Sequence, residues 1–294
     1  MTSPAREHRS PDLAGTRASG RRPGVLLIGL VTALIALAGC SGDGAPSPTP
    51  TAAPTSAKPT PAAAPPAAPP RNGCYRLTYA EAIAPTSTAE PVPCTGAHTT
   101  QTVAVGRVDA VVEGHLLAVD STRVQARVGA SCPAALRRYL GGSATSLQLS
   151  MIRPVWFTPT VEQSDAGAEW YRCDAVVLAR ASQLAPITGS LRGIFAGDRL
   201  PDRYAMCGTA APGARNFQRV PCSARHTWRA IESVPLKAGA YPGVDVVRAA
   251  GRSRCENAAA DRADDPLAFE WGYEWPTAEQ WKAGQTFGRC WTRD

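Results

Sequence analysis

The sequence predicts an α+β protein in which one small disulfide-bonded module occurs twice, each copy with a small, mainly antiparallel sheet and one principal helix. Three observations support this prediction. The sequence contains an internal repeat, and each copy has four cysteines in the same order. A Pro-rich stretch separates an apolar N-terminal segment from the first copy. The predicted parts are a lipoprotein signal peptide at 1–39, a lipidated cysteine with a disordered stalk at 40–70, and modules at 71–185 and 190–294.

The N-terminal segment has the features of a cleaved signal peptide. Its arginines precede an apolar run at 25–38, which covers about 21 Å as a helix and falls short of the roughly 30 Å core of a bilayer. The arginine pair at 21–22 leaves the export route, general or twin-arginine, open. An uncleaved membrane anchor is the alternative, and the short run disfavours it.

The run ends in a sequence that resembles the bacterial lipobox, Leu-Ala-Gly-Cys at 37–40. We therefore expect the Cys40 thiol to accept diacylglycerol and the chain to be cut in front of it. Acyl chains hold a protein on a bilayer because each buried CH₂ contributes about 0.8 kcal/mol. The predicted location is the outer face of the cell membrane, exposed to the cell wall.

The stretch at 41–70 consists almost wholly of Pro, Ala, Ser, Thr and Gly, with ten prolines in thirty residues. Such a composition lacks the apolar residues of a core and favours polyproline II. We expect a disordered, semi-stiff tether with a maximum reach of about 90 Å.

The remainder of the chain carries an internal duplication. Residues 159–173 and 276–290 match at eight of fifteen positions without a gap. Upstream, Val-Pro-Cys followed by His-Thr occurs at 92–99 and again at 220–227. The same module is therefore expected twice.

Each copy is predicted to begin its sheet with a Val/Thr-rich strand, at 99–108 and 227–234, and to continue into a helix. In the second copy one helix face is expected to hold Val244, Val247, Gly251 and Cys255. In the first copy Pro133 is expected to break the helix or to restart it.

A short helical turn is predicted at 160–167 and at 277–284. Thr160 and Thr277 are its expected N-caps, each with a glutamine three residues later to complete a capping box and a glycine at the exit. A closing strand then carries Arg-Cys at 172–173 or 289–290.

Eight cysteines remain after Cys40, and export predicts that they form disulfides. The preferred pairs join an entry segment to a strand edge and a helix to the closing strand: Cys74–Cys94, Cys132–Cys173, Cys207–Cys222 and Cys255–Cys290. Pairing within a copy still allows three connectivities for each module.

His98 and His226 follow a cysteine by four positions in the two copies. No further ligands stand at zinc spacing, so we expect no metal. Each ring is expected to hydrogen-bond a backbone carbonyl or a helix end; ligand recognition or a pH response is the alternative.

The sequence lacks the motifs of common catalytic sites, so we expect no enzyme activity, no catalytic residue and no cofactor. A carboxylate pair drawn from Asp264, Asp265 and scattered glutamates is the weaker alternative. An alternating aromatic segment includes Trp275 and Trp281, which we expect either to form core or to bind a sugar or peptide.

The formal net charge of the precursor is +7, of which +3 lies in residues 1–22. The +4 left for the mature part contains no dense basic run, which disfavours nucleic acid as a partner.

Residues of the second copy resemble the septum-formation domain family of secreted or membrane-tethered envelope proteins from high-G+C Gram-positive bacteria. The resemblance rests on Val-Pro-Cys-Ser-x-x-His at 220–226, Tyr-Pro-Gly at 241–243, Trp-Pro-x₄-Trp-x-x-Gly at 275–284, and Arg-Cys at 289–290. The first copy lacks Tyr-Pro-Gly, and Thr99 and Thr227 stand where the family often has an acid. The resemblance implies a role in cell division or envelope biology.

The leading hypothesis is a non-catalytic, lipid-anchored envelope protein that binds a division protein or cell-wall polymer. The alternatives are an extracytoplasmic sensor of wall fragments or small ligands and, less favoured, a wall hydrolase.

Overall fold

The computed structural model describes residues 63–197, 199–265 and 267–294. The predicted signal peptide, Cys40 and most of the stalk lie outside the described residues. Within the described part, no helix combines the length and the apolar character needed to cross a membrane.

The two copies share the order of an entry strand, a long sheet strand, a helical region, an edge strand, a one-turn helix and a closing strand, and they differ in the elements between these. The first copy contains β1 (Cys74–Tyr75), α1 (Tyr79–Ala82), β2 (Thr100–Arg107), β3 (Val111–Val112), β4 (His115–Leu116), α2 (Thr122–Leu140), α3 (Ala144–Gln148), β5 (Ile152–Phe157), α4 (Val161–Asp165), β6 (Trp170–Arg180) and β7 (Gln183–Leu184). The second contains β8 (Met206–Gly208), β9 (Arg219–Pro221), β10 (Trp228–Pro235), α5 (Val244–Ala250), α6 (Arg252–Ala260), β11 (Trp271–Glu274), α7 (Ala278–Lys282) and β12 (Phe287–Arg293).

The two sheets have equivalent antiparallel topologies, β1-β2-β6-β5 in the first copy and β8-β10-β12-β11 in the second. A register shift interrupts β2 between Thr102 and Ala104, and β10 between Ala230 and Glu232, at equivalent positions of the repeat. A bulge adds a residue to one strand only, so its recurrence at one position is a specific shared feature. The α+β prediction with two tandem modules is confirmed.

Four disulfides crosslink the copies internally, in the pairs that the sequence favoured: Cys74–Cys94, Cys132–Cys173, Cys207–Cys222 and Cys255–Cys290. The second and fourth tie α2 to β6 and α6 to β12, and the four cysteines of these two bonds are fully buried. Each bond closes a loop that the unfolded chain would otherwise leave free, which stabilises a small module.

The two residues of the repeated Arg-Cys pair point to opposite faces of the closing strand. Because side chains alternate along a strand, Cys173 faces α2 while Arg172 faces the other side of the sheet. Arg172 is 2% exposed, lies beside the buried carboxylate of Asp174 and stacks over the ring of Tyr75 at 3.8 Å. Arg289, the equivalent of Arg172, is also buried.

The helix of the first copy does not break at Pro133, contrary to the expectation from sequence. α2 continues through this residue, because proline removes one N–H while the buried side chains of Val128 and Leu136 and the Cys132 disulfide hold both halves on the sheet.

The interruption occurs instead in the second copy, at Gly251 between α5 and α6. A Cβ at this position would lie 2.2 Å from the Tyr273 ring, so the helix approaches the sheet only with a glycine there. The predicted face is buried at Val247 and Cys255, whereas Val244 is 45% exposed and does not belong to it.

The predicted helical turns are confirmed. Thr160 and Thr277 accept hydrogen bonds from the backbone of Gln163 and Gln280 in complete capping boxes. Gly167 and Gly284 follow with φ of 91° and 93°, values that favour glycine.

The two copies share one hydrophobic core. Ile152, Val177 and Leu140 of the first copy pack with Trp228 and Trp291 of the second. Backbone hydrogen bonds also cross the junction, from Met151 N to Tyr204 O (2.7 Å) and from Met206 N to Leu149 O (2.9 Å). The copies are therefore joined as one body.

Candidate functional site

An open cleft of about 1350 Å³ lies at one end of the second sheet. Its walls are the edge strand β11, the helices α5 and α6, the loop after α6, and the β8–β9 connection. Half-buried indoles of Trp271 and Trp275 line it together with Phe269. Ligand-binding sites are typically concave surfaces of this kind.

The strand pattern of β11 places these aromatic rings. Tyr273 faces α6 and is buried, and Trp271, two residues earlier, lies on the same face nearer the open end. Trp275 follows the strand, with the Arg248 guanidinium 5.4 Å from its ring centroid. Burial raises the pKa of Tyr273 to about 12, so this hydroxyl stays protonated at neutral pH.

Among the described residues that line the cleft, the charged side chains balance, with four arginines and four acids. Arg293 pairs with Glu270 at 3.2 Å, on the rim. A cleft with aromatic rings and no net charge suits a neutral ligand with hydroxyl and amide groups better than a strongly charged one.

The structure brings Trp275 to the cleft but not Trp281. Trp281 is 7% exposed, donates from Nε1 to the carbonyl oxygen of Gly239 (2.7 Å) and contacts Tyr241 edge-on. Packing accounts for its position, whereas Trp275 retains an accessible face.

The two repeated histidines have different surroundings. His98 is 1% exposed; its Nδ1 lies 2.9 Å from the carbonyl oxygen of Gly96, and its Nε2 has no partner among the described residues. His226 repeats the first contact, with Nδ1 2.7 Å from Ala224 O, but its Nε2 lies 2.9 Å from Asp294. The carbonyl contact agrees with the structural interpretation of both rings.

Asp294 is the acidic residue beside His226, a contact that the sequence analysis did not predict. It also accepts a hydrogen bond from Arg229 at 2.6 Å. Partial burial acts to raise the pKa of Asp294, but the hydrogen bonds from Arg229 and His226 outweigh burial and hold this pKa below its ordinary value. The contact with His226 spans 68 residues of sequence, so no local pattern reveals it.

A metal site does not fit the same group. The Sγ of Cys207 lies within 4.8 Å of the ligand atoms of His226 and Asp294. Cys207 is bonded to Cys222, however, and only a thiolate is an effective ligand. Two ligands remain, fewer than a structural zinc site requires.

The scattered acids do not converge. Asp264 and Asp265 line the cleft. Glu162 and Glu279 stand in the first turns of α4 and α7, where hydrogen bonds to the backbone lower the pKa of each carboxyl. Glu274 faces away from the cleft into a group of arginines that the sequence analysis did not single out.

The family model described as "Septum formation" matches residues 45–161 and again residues 151–290. The chain belongs to the septum formation family. The two matches agree with the duplication, since each takes in one histidine of the repeated pair. Comparison with curated proteins and with solved structures found no significant match. This family membership links the chain to septum formation, and most of the residues that line the cleft lie in the second of the two matched regions.

Proposed function

We propose that this protein is a non-catalytic, lipid-anchored envelope protein that binds a cell-wall polymer in the cleft of its second copy, at the site of septum formation. The observation that supports the cleft as the binding site is the pair of half-buried indoles, Trp271 and Trp275, beside a balanced set of charges. Flat aromatic faces pack against the apolar faces of sugar rings, while the polar rim hydrogen-bonds hydroxyl and amide groups.

Comparison of the two copies supports a division of roles. Trp156 pairs with Cys173 across β5 and β6 as Tyr273 pairs with Cys290 across β11 and β12. By this register Pro154 and Thr158 stand where the second copy has its two indoles. The aromatic surface is therefore specific to the second copy, and the first copy contributes to the shared core.

The predicted lipid anchor would position the cleft at the cell surface. Acylation at Cys40 would hold the protein on the outer membrane face, and the stalk would let the body reach into the wall. Four disulfides fit an oxidising compartment.

Co-sedimentation of the full-length protein, in detergent, with purified cell-wall sacculi tests the proposal. We expect the wild type to sediment with sacculi and the Trp271→Ala/Trp275→Ala double variant to lose at least about tenfold in affinity, the loss that 1.4 kcal/mol produces. Leu116→Ala is the matched control, because Leu116 is an apolar side chain of the first copy that is 80% exposed.

Equal sedimentation of the double variant and the wild type would exclude the cleft as the site. Absence of wild-type binding to sacculi would exclude a wall polymer as the ligand. A protein partner bound in the cleft is the alternative that would then remain for test.

A further inference from the structure

A group of three arginines and one carboxylate lies where the two copies meet. Glu274 pairs with Arg219 and, at 3.3 Å, with Arg289, while Arg153 of the first copy lies beside them. Among the described residues Arg153 forms no ion pair of its own. The group therefore carries two positive charges that no carboxylate of the described residues offsets.

Backbone carbonyls hold two of the guanidinium groups in place. Arg289 donates from Nε to the carbonyl oxygen of Gln148 at 2.9 Å. Arg153 donates from Nη1 to the carbonyl oxygens of Ser150 and Ile152 at 2.8 and 2.7 Å. The segment 148–152 thus fixes both side chains before any ligand arrives, and such preorganisation lowers the cost of binding.

The electrostatics are consistent with an unsatisfied excess of positive charge. Burial, with the charges of Arg289 and Arg219, lowers the pKa of Arg153 to about 9 in spite of Glu274. In the first copy Arg172, the equivalent of Arg289, does not share its carboxylate partner Asp174 with a second arginine among the described ion pairs, whereas Glu274 is shared by Arg219 and Arg289. The excess is specific to the junction.

The arginine group is open to solvent on one side. The Arg289 side chain is 5% exposed and Glu274 is 12% exposed, whereas the Arg219 side chain is 36% exposed. A ligand would thus meet Arg219 first, and the Arg289 guanidinium lies deeper in the group.

We propose that this junction binds a phosphate group, either as a soluble phosphate or as part of a larger envelope molecule. Guanidinium groups bind phosphate oxygens through paired N–H donors. A phosphate group carries one negative charge as a diester and up to two as a monoester, and it offers more oxygens to several guanidinium groups than a carboxylate does. Because its ligands come from both copies, a bound phosphate would also crosslink them non-covalently. This site is separate from the aromatic cleft and does not depend on the function proposed for it.

Thermal unfolding of the full-length protein in detergent tests the site, with inorganic phosphate compared to chloride at equal ionic strength. Phosphate at about one hundred times its Kd is expected to raise the Tm by roughly 5 °C. Arg219→Gln is expected to weaken phosphate binding by at least about tenfold in calorimetric titration. Arg107→Gln is the matched control, because Arg107 forms a surface pair with Glu169 and is 78% exposed.

Two further arms identify the source of the phosphate and guard against misfolding. Protection by glycerol phosphate indicates a soluble or polymer-borne group. Protection only by mixed micelles of the detergent with an anionic phospholipid, and not with a zwitterionic one, indicates a lipid headgroup. Arg219→Lys keeps the charge but loses the paired donors, so partial retention of binding is expected. Equal Tm values in phosphate and chloride, or unchanged phosphate affinity in a folded Arg219→Gln variant, would overturn the proposal.

Discussion

His226 and Asp294 meet at the open end of the second copy, with Nε2 2.9 Å from a carboxylate oxygen. Both ring nitrogens of His226 face oxygen acceptors, because Nδ1 lies against the carbonyl of Ala224. The first copy has Val177 at the position that corresponds to Asp294, so only one of the two modules has this acid.

Replacing Asp294 with Asn is expected to lower stability at neutral pH. The pKa of Asp294 is held below its ordinary value in the folded state, so its contribution is present above the unfolded pKa of about 3.9 and is lost as the pH falls through the folded pKa. The side chain is 34% exposed, so the expected loss is only about 1 kcal/mol.

Urea unfolding of the wild type and of Asp294→Asn at pH 7 and at about pH 3 measures this effect. The difference between the two proteins should shrink at the lower pH. A difference that stays constant across this range would contradict the assigned role of the carboxylate.

The buried pair of Arg172 and Asp174 should be sensitive to loss of one partner. Asp174 is fully buried and accepts hydrogen bonds from Thr100 and Thr102. Asp174→Ala would leave the Arg172 charge buried without a carboxylate, at a cost of about 3–5 kcal/mol. The double variant Arg172→Met/Asp174→Leu should be less destabilised than the single one, as chemical denaturation can measure.

An exposed ion pair, Arg107 with Glu169, provides the control for the buried pair. Arg107→Gln/Glu169→Gln removes a pair whose side chains are 78% and 55% exposed, and should cost less than about 1 kcal/mol. If Asp174→Ala is no more destabilising than this control, Arg172 is not confined as the structure describes.

Gly251→Ala should destabilise the protein even though alanine is the better helix former. The added Cβ would stand 2.2 Å from the Tyr273 ring, and the helix or the ring would have to move. Overpacking of this kind costs about 1–3 kcal/mol, more than the gain of up to about 1 kcal/mol in helix propensity. Gly197→Ala is the control, since nothing lies within 4 Å of its Cβ position.

Thermal or urea unfolding of the two glycine variants measures the comparison. A Gly251→Ala protein as stable as the Gly197→Ala protein would mean that α5 and α6 do not pack on the sheet as closely as described.

Alanine variants of Trp281 and Trp275 should have different effects, the first on stability and the second on binding. Trp281→Ala is expected to cost about 3–5 kcal/mol of stability, because it empties a buried site and removes the bond to Gly239 O. Trp275→Ala should leave stability much nearer to wild type and weaken sacculus binding. Unfolding curves and co-sedimentation on the same preparations test this, and the reverse assignment of the two effects would contradict the site.

Local sequence patterns sufficed for much of the fold. The capping boxes of Thr160 and Thr277 each lie within four residues, and the repeat itself fixed the order of the cysteines. The predicted break at Pro133 was wrong, because tertiary packing and the Cys132 disulfide compensate for the loss of one N–H. Gly251 was counted as a position on the helix face, and its role as an interruption depends on Tyr273 in a distant strand.

The parts of the site that the sequence missed all depend on long-range contacts. Asp294 reaches His226 across 68 residues, and Arg289 reaches the carbonyl of Gln148 across 141. Pairing of β10 with β12 places Asp294 beside His226, whereas the junction between the copies, in which Met151 and Tyr204 pair through their backbones, brings Arg289 to Gln148. Trp275, by contrast, was found from its place in an alternating aromatic segment.

We propose that the aromatic cleft, held at the membrane by the predicted anchor, directs this protein to its ligand at the septum. Fluorescence microscopy of dividing cells that carry tagged wild type, Trp271→Ala/Trp275→Ala or Leu116→Ala tests it most directly. We expect enrichment at the septum for the wild type and for Leu116→Ala, and an even peripheral signal for the double variant. Equal septal enrichment of all three proteins would contradict it.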